Sequence, residues 1–94
     1  METGHYKHKE RQDLFGHVYN RGESLLFQRV KYVEVNKTKS APKVCVQAES
    51  EKLGTNEMFE KGIIREVGSD FLDVFEKITF EEFCELDMIA FNKV

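Results

Sequence analysis

Lys61-Gly62-Ile63-Ile64-Arg65-Glu66-Val67-Gly68-Ser69-Asp70-Phe71-Leu72-Asp73-Val74-Phe75 is the stretch on which the fold turns. Two β-competent runs flank Gly68-Ser69, a pair suited to a two-residue hairpin turn in which glycine supplies a positive φ. With Val67 opposite Asp70, the predicted register sets Arg65 against Leu72 and Ile63 against Val74 on one side. On the other side Glu66 faces Phe71, Ile64 faces Asp73 and Gly62 faces Phe75, where a ring over bare backbone helps pin the pairing. Both sides then carry bulky apolar groups, whereas a sheet wetted on one face would alternate cleanly.

The run from Leu25 to Val35 has the same two-sided character. Leu26, Val30 and Tyr32 point one way, and Leu25, Phe27, Val33 and Val35 the other. Strands that are apolar on both sides need a strongly bent sheet, a barrel, or a second copy covering the spare face. The expected fold is therefore mainly β: a small, strongly bent antiparallel sheet or barrel of about five strands, with at most one or two short helices. Asn36 to Lys43 reads as a polar loop between Leu25–Val35 and a strand at Val44–Ala48. The pair is expected to form a hairpin with a basic tip.

Residues 1–10 are polar, rich in His and Lys and without periodicity, which predicts a flexible tail ahead of a single β domain over 11–94. Arg11 to Phe15 fits one helical turn stopped by Gly16, His17-Val18-Tyr19 begins a strand, and Asn20-Arg21-Gly22 is turn chemistry. Glu49 to Glu57 reads as a polar connector. The last segment supports two readings. Thr79-Phe80-Glu81-Glu82 has the form of a helix capping box, with Phe83, Leu86 and Ala90 then sharing a face. Alternatively Ile78–Cys84 and Met88–Phe91 are strands about a turn at Glu85–Asp87, which the closure of a barrel favours, and the strand reading is taken.

Ninety-four residues bury roughly 65% of the unfolded surface, enough for one modest core. Eight Phe and three Tyr with no Trp supply much of it. No apolar run approaches the ~20 residues that span a bilayer, so no membrane role is expected. The polar start lacks the apolar segment of a secretory leader, and a cytoplasmic location is expected with Cys45 and Cys84 reduced. The net charge of −3 conceals a split. Residues 1–47 hold nine Lys/Arg against five Asp/Glu, net +4, and residues 48–94 hold five against twelve, net −7. Surfaces of opposite sign favour self-association or an anionic partner.

From Phe59 to Phe91 the pattern resembles the Sm-like family of small five-stranded barrels. The run Phe59 to Val74 carries the glycine that opens a bent strand and then a hairpin. Phe83 to Phe91 is similar to the closing strand, and Asp13 to Tyr19 to the opening helix and first strand. Residues 20–58 would be a large insertion. The resemblance implies barrel shape and ring assembly. The family's RNA-reading residues do not carry over, because Gly68 and Ser69 stand at the loop positions and Leu86-Asp87-Met88-Ile89 at the closing signature.

No catalytic constellation emerges, so an enzyme is not expected and no cofactor is implied. His5, His8 and His17 lack the cysteine partners usual in structural zinc sites, and no metal site is expected. Asp70, Asp73, Glu76, Glu81, Glu82, Glu85 and Asp87 read as a solvated acidic face. Ile64, Phe71, Phe75 and Met88 are the candidates for self-association, since one thin sheet cannot bury them all. The expected role is a non-enzymatic module that self-associates or binds a protein. The alternative is RNA or single-strand binding by Arg29, Lys31, Lys37, Lys39 and Lys43, with cations on phosphates and Phe27 or Tyr32 under bases.

Overall fold

The computed structural model describes residues 1–36 and 44–94. Its strands are β1 (Gly4–His8), β2 (Phe15–Arg21), β3 (Ser24–Arg29), β4 (Tyr32–Asn36), β5 (Val44–Ala48), β6 (Ile64–Glu66) and β7 (Phe75–Ile78). Its helices are α1 (Thr55–Glu60), α2 (Phe71–Val74) and α3 (Phe80–Asn92). The architecture is mainly β. Five strands form one antiparallel sheet in the order β6-β3-β2-β1-β7, and β4 pairs with β5 in a separate two-stranded sheet. The arms of the expected Leu25–Ala48 hairpin are thus present, although its first arm breaks at Val30-Lys31. The tip, with Lys37, Lys39 and Lys43, lies outside the described residues.

The predicted hairpin at Gly68-Ser69 does not form. Its first arm becomes β6 and pairs with β3, setting Gln28 against Ile64. Its second arm becomes α2 and then β7, which pairs with β1 at the opposite edge, setting Tyr6 against Lys77. The hairpin that does form within the sheet turns at Gly22, whose φ of 62° is the glycine-first arrangement of a type II′ turn. Beside it Gly16 is obligatory for space: a Cβ there would lie 2.0 Å from the Gln28 carbonyl oxygen.

The sheet is strongly curled. Three strand spacings separate β3 from β7, about 14 Å in a flat sheet, yet the Phe27 and Phe75 rings stand 4.9 Å apart. Tyr6, Val18, Phe27, Phe71 and Phe75 fill the resulting hollow. Phe71 and Phe75 stack at 4.3 Å, and the Arg65 guanidinium lies 5.2 Å from the Phe75 centroid, capping the rings from outside. Leu26, Ile63 and Ile64 make a second cluster with Tyr19, Leu53 and Met58. The two-sided apolar character was thus real, but its assignment changes. Ile64 lies in a different cluster from Phe71 and Phe75, while Leu72 and Val74 are exposed.

Two further expectations are corrected. Residues 4–8 are no tail but β1, hydrogen-bonded on both sides, with Tyr6 buried. A single apolar residue in five gave no periodic signal; its two neighbouring strands supply the order. The terminal segment is helix rather than strand: the Thr79 side chain accepts a hydrogen bond from the Glu82 N–H at 3.1 Å, as the capping box requires. With β7 already lying against β1, no strand from this segment completes the sheet. Of the residues likened to the Sm-like pattern, Phe83–Phe91 lie in α3, and Phe59–Val74 run from the end of α1 through β6 into α2.

Candidate functional site

Because β7 ends beside β1, Thr79 launches α3 across the outside of the β1–β2 pair. Phe83 lies 4.2 Å from the His5 ring and 5.7 Å from Phe15, fixing the inner face of the helix. Lys7 on β1 pairs with Glu82 at 2.6 Å and with Glu76 at 3.6 Å. The Glu82 hydrogen bond raises the Lys7 pKa against the opposing effect of burial, with smaller help from the Glu82 and Glu76 charges. Farther along, the Tyr32 hydroxyl donates to Asp87 at 2.6 Å, and its ring meets Phe91 edge-on at 5.3 Å. That hydrogen bond, with partial burial and the nearby negative charge, pushes the Tyr32 phenol up to about 12. The root of the β4–β5 hairpin is thereby tied to α3.

These ties leave much of the outer face of α3 exposed, although Phe80 lies 5.5 Å from the His5 ring and Phe91 touches Tyr32. Phe80 and Met88 are 64% and 65% exposed, and Ile89 and Phe91 are about half exposed. Phe80, Cys84, Met88 and Phe91 recur at i, i+4, i+8 and i+11, so they form one stripe. Cys84 is half-buried within it. Alongside run Glu81 and Glu85, both exposed. Beyond Ile89 the helix borders a cleft of about 260 Å³ lined by Leu14 and Val30, by the cations Arg11, Arg29, Lys31 and Lys93, and by Asp13.

A second cavity, of about 300 Å³, lies between the sheet and the hairpin root, with His5, His17 and Gln28 on its floor. His5 and His17 are direct cross-strand neighbours. Burial, reinforced by the adjacent His5, holds the His17 imidazole below its ordinary value of 6.5. His8 turns elsewhere, its Nδ1 accepting from the N–H groups of Glu10 and Arg11. Among the described residues, no group of three or more His, Cys, Asp or Glu is placed to hold a metal ion. Nor is any described helix long and apolar enough to cross a membrane.

The residues singled out from sequence separate sharply. Ile64, Phe71 and Phe75 are buried within the chain itself, so they are core and not an interface; curling of the sheet covers what a thin sheet would expose. Met88 alone of that set is at the surface. Arg29 gives its Nε–H to Glu49 at 2.7 Å and so has a carboxylate partner already. Lys31 is exposed at the cleft. Phe27, imagined under a base, is in the core. Phe80, Ile89 and Phe91 were missed because the segment was read as strand; the capping threonine was the signal for the helix that exposes them. Arg11 and Lys93 were missed because only the fold brings them to Lys31.

No family model, curated protein or solved structure matches this chain.

Proposed function

We propose that this chain is a non-enzymatic interaction module that docks a protein surface on the outer face of α3. The exposed stripe of Phe80, Met88 and Phe91 carries the reading. Single exposed apolar residues are ordinary, but a contiguous set on one helix marks a contact surface. The helix is also held before any partner arrives, by Phe83 on His5, Lys7 on Glu82 and Tyr32 on Asp87. A rigid presenting helix loses little freedom on binding. A benzophenone photocrosslinker at position 88 should give covalent adducts in cell extract, with position 72 as the exposed apolar control. Equal yields at the two positions would contradict the proposal.

A second reading, nucleic-acid binding, is favoured by Lys31 and Lys93 beside one cleft, whose other two cations, Arg11 and Arg29, already face the carboxylates of Asp13 and Glu49. Phosphate contacts make affinity fall steeply with salt. Filter binding to a single-stranded oligonucleotide at two salt concentrations tests it, and no retention at the lower salt removes it.

A further inference from the structure

We infer that the occupant of the α3 face is a cationic amphipathic segment of another protein, an inference that rests on the docking role proposed above and names its partner's chemistry. The apolar stripe is bordered along its N-terminal half by Glu81 and Glu85. Neither carboxylate joins an ion pair among the described residues. The other carboxylates of the helix are engaged inward, Glu82 with Lys7 and Asp87 with Tyr32. The helix carries no basic residue in its first or last turn, and Lys93 stands only at its C-cap. An incoming segment thus meets grease flanked by negative charge.

A second copy of the chain fits this surface poorly. A two-fold pairing sets the same patch against itself. Two antiparallel α3 helices meeting about Cys84 and Met88 would bring Phe80 to Phe91 of the other copy, which is favourable. The same operation lays the Glu81–Glu85 row against its own copy, with Glu85 nearest Glu85, and like charges meet. A segment with apolar anchors at helical spacing and Lys or Arg on their flank satisfies both features at once. Its binding should weaken as salt screens the flanking charges.

Fluorescence anisotropy on the full chain tests the inference with two labelled helical probe peptides of matched Leu pattern, one with Lys and one with Glu at the polar positions. The wild type should bind the Lys peptide at least about tenfold more tightly than the Glu peptide. Glu81→Lys/Glu85→Lys should reverse that preference, and Met88→Ser should weaken binding of the preferred peptide. Circular dichroism confirms that these surface variants remain folded. Equal binding of both peptides, lost in Met88→Ser, would overturn the charge inference and leave the docking face standing. Lys-peptide binding indifferent to Met88→Ser, or no binding of either peptide, would overturn both. A wild-type dimer in light scattering that dissociates in Met88→Ser would place a second copy on the face instead, and would overturn the inference alone.

Discussion

Arg21-Gly22-Glu23-Ser24 and Val67-Gly68-Ser69-Asp70 offer the chain two similar corners, and the chain treats them oppositely. At the first, Gly22 takes a φ of 62° and six residue pairs zip β2 onto β3. At the second, Gly68 is not among the positive-φ glycines, and the backbone winds on: Phe71 N–H donates to the Gly68 carbonyl and Asp73 N–H to that of Asp70. The difference lies in what waits for the arms. β2 and β3 have each other, whereas β6 is taken by β3 and β7 by β1. Tyr6 on β1 needs cover, and Phe71 and Phe75 provide it by dropping four residues apart into the same hollow. Turn chemistry permits a reversal; distant partners decide whether it is used.

The largest effect that sharpens this contrast is in the second corner's side chains. Phe75→Ala should cost about 3–5 kcal/mol, as for a ring lost from a closed core. Leu72→Ala, at a position half exposed here but core-facing in a simple hairpin, should stay within about 0.5 kcal/mol. Urea titration of both variants measures the gap, and comparable losses would restore the hairpin. Next come the two glycines. Gly22→Ala should cost about 1–2 kcal/mol, because its left-handed backbone strains any Cβ. Gly68→Ala should change little, since its Cβ would meet only the Asp70 carboxylate oxygen, at 3.0 Å, and that side chain can swing aside. Thermal midpoints of the pair check the ranking.

The smallest effect probes the pairing of β1 with β2, next to the edge that β7 joins. His17 has its pKa lowered in the fold, so the unfolded chain binds more protons on it as pH falls below about 6.5. Stability should therefore decline with acidification below that value, and His17→Gln should flatten part of the slope. Melting at about pH 7.5 and about pH 5.5 reads it. A slope unchanged by the substitution would mean that His17 is no more buried when folded than when unfolded.

The sequence made the mainly β class legible through residues such as Leu26 and Phe27, adjacent yet both apolar, and the structure places them in opposite clusters. The β4–β5 arms were legible through their Val content. β1 was not, because Tyr6 is its one apolar member and its order comes from strands distant in the chain. The helix α3 was half legible. Thr79 and Glu82 announced it, but the expectation of a closing strand outweighed them, and with it went Phe80, Ile89 and Phe91. Met88 was picked for the right exposure and the wrong companions.

The placement of β7 beside β1 decides both the fold and the presentation of α3, and backbone proton contacts by NMR test it directly. Cross-strand contacts between Tyr6 and Lys77, and between His5 and Ile78, are predicted, with none linking Ile64 to Asp73. Strong contacts between Ile64 and Asp73 in their place would fold the second corner into a hairpin and remove the platform on which α3 rests.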